Sequence, residues 1–222
     1  MLSAQVHIEK LSERAWRLSP LSEGESQGLV VVQHGLGSRK ERHLELALRL
    51  VNTGFAVLLT EAAFHGERKG GDTSSILHAG PTHPEFFGAA EACVLTTIEE
   101  IQGRVEGQEY RYVGHSLGGL IGLHLARRDP RISHLVVISG AIDTEAALGE
   151  MGAPLSPVRW AAELAHPRIT LLHGTDDLVV PLVWAESLYK ALPTGAELKT
   201  YADTGHNLTE AMMLDAIQGV QR

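Results

Sequence analysis

Six short apolar runs rich in β-branched residues recur along the chain, separated by longer stretches of helical period, and this alternation narrows the fold more than any other feature. The runs are Leu29 to Gln33, Phe55 to Thr60, Tyr110 to Val113, His134 to Ser139, Ile169 to His173 and Glu197 to Tyr201. Runs as continuously apolar as LVVVQ and FAVLLT belong to strands buried on both faces, which requires a mostly parallel sheet with helices packed on either side. The spacing predicts helices at about 40–53, 84–103, 117–128, 182–192 and 208–220. Before them, alternation in VHIEKL and RAWRLS predicts an antiparallel hairpin or edge strands. The expected class is therefore α/β, with no internal repeat or low-complexity tract.

Length and composition bound what such a fold can serve. With 222 residues, 44% of them hydrophobic, residues 1–222 are expected to form one domain with a substantial core. A formal charge of −8 without a basic run argues against nucleic acid or an anionic membrane as partner. The N-terminal MLSAQVHIEK lacks a signal-like apolar region, and no apolar run approaches the roughly 18 residues that would span a bilayer. The expectation is a cytoplasmic protein. A single cysteine, Cys93, forms no internal disulfide and reads as a small buried helix residue. His78 and His83 lack the neighbouring carboxylates or spacing of a metal site, so neither metal nor cofactor is expected. Nothing in the sequence indicates the oligomeric state.

The pattern G-x-S-x-G occurs twice, around Ser26 (GESQG) and around Ser116 (GHSLG). Three fixed letters are easily met by chance, so context decides. A nucleophile elbow needs a strand entering the turn and a helix leaving it. Ser26 precedes a strand and follows a turn-rich stretch, which marks a surface turn. Ser116 follows YRYVG and opens LGGLIGLHLARR, whose Leu117, Leu120, Ile121 and Leu125 share one helical face.

A serine hydroxyl is a weak nucleophile until a base takes its proton. His206 is the preferred base among twelve histidines, because it sits in a loop after the last strand and just before a helix. Its orienting carboxylate is expected directly after the strand ending at His173, where Asp176 and Asp177 stand side by side. Spacing does not choose between them. The run LVVVQHGLGS is a strand breaking into a glycine-rich loop, which places an oxyanion hole at the backbone N–H groups of Leu36 and Leu117.

On these motifs the chain resembles the α/β-hydrolase superfamily, and more closely its small bacterial serine carboxylesterases. QHGLGS is similar to the family's oxyanion segment, GHSLGG to its nucleophile elbow, HGTDDLVVP to its acid loop and the GH of residues 205–206 to its histidine loop. The resemblance implies Asp177 as the acid, being the fifth residue of the acid-loop pattern. EAAFHGER resembles a D-x-x-x-HG-x-R segment of the family, with Glu61 in place of the usual Asp. That places His65 at the border of the site, and His65 and His34 become candidate substrate contacts.

Two connecting segments are long. Residues 62–83 read as a Gly-, Ser-, Thr- and His-rich loop of the kind that is functional or mobile. Residues 140–167 read as a short cap of helical pieces, in which Trp160, Met151 and Leu155 would either line an acyl pocket or pack as core. His124 reads as a packed helix residue. The expected function is a serine-dependent hydrolysis of small-molecule carboxylic esters, with small to medium acyl groups, through an acyl-enzyme. The same residues would serve a thioesterase, lactonase or peptidase, and a non-catalytic ligand-binding module remains the alternative from another class.

Overall fold

A computed structural model describes residues 6–21, 26–66 and 70–222 of the chain. The N-terminal alternation forms an antiparallel hairpin, β1 (Val6–Ser12) and β2 (Ala15–Pro20). The apolar runs form β3 (Leu29–Gln33), β4 (Ala56–Thr60), β5 (Tyr110–His115), β6 (Ile132–Ile138), β7 (Arg168–Gly174) and β8 (Glu197–Tyr201). All eight strands join one sheet in the order β1-β2-β4-β3-β5-β6-β7-β8. β3 through β8 run parallel, and β2 pairs antiparallel with β4.

The period-two geometry of a strand sorts the apolar side chains into two cores. Val31, Leu58, Tyr112 and Val137 face one side, where they meet α3 (Phe86–Arg104), α4 (Leu117–Arg128) and α6 (Leu182–Ala191). Val30, Val32, Val57, Leu59 and Val113 face the other, against α1 (Leu44–Asn52) and α7 (Glu210–Gln221). This is the α/β-hydrolase arrangement, a mostly parallel sheet with helices on both faces.

β3 has β4 on one flank and β5 on the other. The chain therefore leaves the β3 carboxyl end in one direction and later returns on the opposite side, opening a crevice above the ends of β3 and β5. His34 and Ser116 follow those two strand ends directly.

One expectation about the connections needs adjustment. Residues 62–83 are not a structureless loop, because Gly71–Ala79 form a helix, α2. Its GDTSSILHA sequence has weak helix formers and no apolar stripe, so no periodicity announces it. Tertiary contacts hold it: Leu77 is buried in the core, and the Ser74 hydroxyl donates to the Phe64 carbonyl at 3.0 Å. Residues 140–167 contain α5 (Thr144–Leu148) and two 3₁₀ turns, Gly149–Leu155 and Pro157–Glu163. The Asp143 carboxylate caps α5 and also accepts from the Ser156 hydroxyl at 2.9 Å. Ion pairs Arg127–Glu163 and Arg159–Glu145 fasten the segment. No described helix is long and apolar enough to cross a membrane.

The core also encloses histidines. Burial holds His43 down to about 3, and His65 and His124 down to about 4, so all three are neutral at pH 7. Their folded pKa values lie below the unfolded value near 6.5, so below pH 6.5 the unfolded chain binds protons that the folded chain refuses. Stability is expected to fall as pH drops from 6.5 towards 4, at up to about 4 kcal/mol per pH unit for three such groups. Urea unfolding at pH 7, 6 and 5 measures this. A free energy independent of pH across that range would contradict it.

Candidate active site

The turn between β5 and α4 places Ser116 above the sheet in a conformation that side chains rarely adopt, with φ 55° and ψ −122°. Close packing explains why glycines flank it. A Cβ at Gly114 would lie 2.2 Å from the Gly118 carbonyl oxygen, and one at Gly118 would lie 2.4 Å from that of Gln33. The Tyr112 hydroxyl donates to the Gly118 carbonyl at 2.8 Å from within the core. The elbow is thereby locked against β3, and strain at one residue is held by its surroundings. Ser26 has no such setting: it is exposed, three residues before β3 and outside any helix or strand. Gly24 and Glu25 of its motif lie outside the described residues.

Three side chains from three loops meet in a line. Ser116 Oγ lies 2.9 Å from His206 Nε2, and His206 Nδ1 lies 2.8 Å from Asp177 Oδ2. Asp177 follows β7 and is 4% exposed; its Oδ1 accepts the N–H groups of Val179 and Val180, each at 2.9 Å. Burial alone pushes the Asp177 carboxyl up. The Val180 N–H, His206 and the Val179 N–H outweigh it, and the net pKa lies below the ordinary carboxylate value. Asp176 is exposed and accepts from the Thr175 hydroxyl. Of the two aspartates that spacing left open, Asp177 is the one that reaches the imidazole.

The loop after β3 presses against the serine. A Cβ at Gly35 would stand 2.8 Å from Ser116 Cβ and 3.3 Å from its Oγ, so only glycine permits this approach. Leu117 begins α4, and its N–H has no partner one turn back in the helix. Leu36 and Leu117 border the same cavity as Ser116 and His206.

That cavity has a volume of about 320 Å³, and its described walls are almost wholly apolar. Leu77 from α2, Phe86 and Phe87 from α3, and Ile142, Leu148 and Leu155 from the 140–167 segment enclose it, with Val179, Val180 and Trp184 on the side of the acid loop. Its polar lining comes from Ser116, Thr144 and His206; no carboxylate or cationic side chain is among the described lining residues. None of the three candidate substrate contacts is among these residues either. His34 and His65 are fully buried, their rings 5.5 Å apart. Trp160 is core, its ring 4.8 Å from that of His124 and 5.1 Å from the Arg127 guanidinium. Met151 points outward at 65% exposure, and Leu155 alone of that trio faces the cavity. No sequence signal marks Phe86, Phe87 or Trp184, because apolar residues on helices look the same whether they face a core or a cavity. No group of three or more His, Cys, Asp or Glu suited to a metal occurs among the described residues.

The family model described as serine aminopeptidase, S33, matches residues 24–171. "Putative esterase YitV" of Bacillus subtilis (strain 168) is 34% identical over 104 residues, covering 43% of this chain and 37% of that protein. The chain thus spans little more than a third of that relative's length. TT1662 from Thermus thermophilus superposes with a TM-score of 0.76 at 22% identity, covering 98% of this chain and 97% of the other. A cold-adapted esterase from an Arctic intertidal metagenomic library gives 0.69 at 24% identity, over 98% and 93% of the two chains. At these identities the superpositions speak to fold alone.

Proposed function

The chain belongs to the serine aminopeptidase S33 family of α/β-hydrolases, and from that premise we propose that it hydrolyses carboxylic esters of uncharged, small to medium acyl groups through an acyl-enzyme on Ser116. The observation that carries this reading is the hydrogen-bonded line Ser116–His206–Asp177 opening into an apolar cavity. Ser116 Oγ attacks the ester carbonyl carbon as His206 Nε2 removes its proton. Asp177 holds the Nδ1–H and stabilises the imidazolium that forms. The N–H groups of Leu36 and Leu117 take the oxyanion; losing one such donor costs about 10² to 10³ in rate. His206 then returns the proton to the leaving alcohol, and a water molecule activated by the same nitrogen releases the acid. These steps draw on the chain's own groups, and the protein is read as one domain whose 140–167 segment caps the acyl cavity.

The family's name raises a peptidase reading, and the cavity weighs against it. An aminopeptidase must hold the ammonium group of a free N-terminus, for which a carboxylate at the site is the natural partner. None lies among the described lining residues. A volume near 320 Å³ is at the small end for ligand pockets, which run from about 300 to 1,000 Å³, and this favours short and medium acyl chains over long ones.

A panel of p-nitrophenyl esters of increasing acyl length, with acyl thioesters, lactones and aminoacyl p-nitroanilides, tests the assignment. Short and medium esters are expected to give the highest kcat/KM, with a fall once the chain outgrows the cavity, and the anilides should be left intact. Faster cleavage of the anilides than of any ester would replace the esterase reading with the peptidase one.

A further inference from the structure

Behind the Gly35 loop lies a row of buried ionisable side chains that the reaction scheme above does not use. Lys40, Glu61 and His34 are each buried with side-chain exposure of 0%. Lys40 Nζ lies 3.2 Å from Glu61 Oε2 and 3.1 Å from Glu41 Oε1. The Ala62 N–H donates to His34 Nε2 at 3.0 Å, and the other Glu61 oxygen, Oε1, packs 2.5 Å from the same nitrogen. On the far side of the ring, His34 Nδ1 lies 2.8 Å from the Gly35 carbonyl oxygen. A carbonyl oxygen can only accept, so Nδ1 carries the hydrogen of that contact. The Ser38 N–H donates to the same oxygen at 3.2 Å.

This oxygen belongs to the peptide whose nitrogen is that of Leu36. A trans peptide is planar, with its C=O and N–H pointing in opposite directions. Two donors that fix where the Gly35 oxygen points therefore also fix where the Leu36 N–H points. A donor bonded to the carbonyl further polarises the amide and strengthens its N–H as a donor. We propose that Lys40 and Glu61 are positioning residues for the oxyanion hole, acting through His34 to hold and polarise the Gly35–Leu36 peptide. The proposal rests on the assignment of Leu36 as an oxyanion donor. It gives Glu61, the one residue that departs from the Asp of the related motif, a specific geometric role, since its two oxygens bridge a lysine and an imidazole.

The test uses Glu61→Gln, which leaves Lys40 paired with Glu41, and the double variant Lys40→Met/Glu61→Gln, which leaves no unpaired charge in the core. Fluorophosphonate labelling at the end point counts correctly folded sites, so kcat is expressed per labelled serine. An oxyanion hole acts in the transition state and not on bound substrate. Both variants should therefore lower kcat by about tenfold, part of the loss from deleting a donor outright, with KM held within about twofold. The inhibition constant of a trifluoromethyl ketone, whose adduct places an oxyanion in the hole, should weaken in the same ratio as kcat. A merely structural role would lower the labelled fraction or the melting temperature while leaving kcat per labelled site and ketone affinity at parent values, and that result would overturn the proposal. Ser116→Ala run alongside separates the two levels. If it retains turnover, the esterase assignment falls and this inference with it; if it is inactive while Glu61→Gln matches the parent, the inference alone fails.

Discussion

Ser116→Ala is expected to lower ester turnover about 10⁶-fold, the scale found when the nucleophile of such a constellation is removed, while the protein stays folded. The size follows from what is lost. Without Oγ no acyl-enzyme forms, and His206 has no proton to accept at the point of attack. Substrate binding and the Leu36 and Leu117 donors survive, so a residual acceleration of about 10³ to 10⁴ over water should persist. The fold should tolerate the change, because the backbone at φ 55° is held by the Ser116 N–H to the Ile138 carbonyl at 2.8 Å and by packing at Gly114 and Gly118, none of which involves the hydroxyl. Ser26→Ala is the matched control: the serine of the same five-residue pattern, here itself exposed, where kcat and KM should equal the parent's. Equal activity in both variants would remove Ser116 from the mechanism, and fluorophosphonate labelling at Ser26 would relocate it.

Asp177→Asn is expected to cost about 10⁴-fold in kcat, with Asp176→Asn near the parent. The difference lies in the tautomer that each change imposes on His206. An asparagine at 177 can still accept the Val179 and Val180 N–H groups through its oxygen, as Asp177 Oδ1 does now. Its amide NH₂ then faces His206 Nδ1, which must become an acceptor. The ring proton moves to Nε2, and the imidazole can no longer take the Ser116 proton. The pH dependence has a definite sign. Because the Asp177 pKa is held below its ordinary value, the stabilisation from its ionised form is complete above the unfolded carboxylate pKa and is lost only as pH falls through the lower folded value. Asp177 therefore stays ionised throughout the range in which an esterase would be assayed at neutral or mildly acidic pH. Steady-state kinetics of the two variants at pH 7 decide the matter; a loss in Asp176→Asn alone would reverse the assignment.

The parallel sheet was legible because strands buried on both faces are almost entirely apolar, and LVVVQ or HLVVIS leave little else to be. Helices with strong faces were equally legible: α4 occupies Leu117–Arg128 and α6 occupies Leu182–Ala191, close to the spans that periodicity marks. Helix α2 was not, since GDTSSILHA has neither propensity nor stripe and becomes helical only where Leu77 and Ser74 find partners. The same blindness applies to Trp160, which the 140–167 segment carries inward against His124 instead of into the cavity.

By itself the sequence determined the order of elements and the loops in which a serine, an acid and a histidine could stand, because strand and helix periods are local properties of a few consecutive residues. Which serine stands at a sharp turn followed from the same local logic, a strand before and a helix after. Only the tertiary structure brought Asp177 and not Asp176 to the imidazole, lined the cavity with Phe86, Phe87 and Trp184, and set Lys40, Glu61 and His34 in a row behind the Leu36 amide. Those relations join residues far apart in the chain, and a hydrogen bond of 2.8 Å between His206 and Asp177 depends on where the sheet brings its strand ends together, which no local pattern encodes.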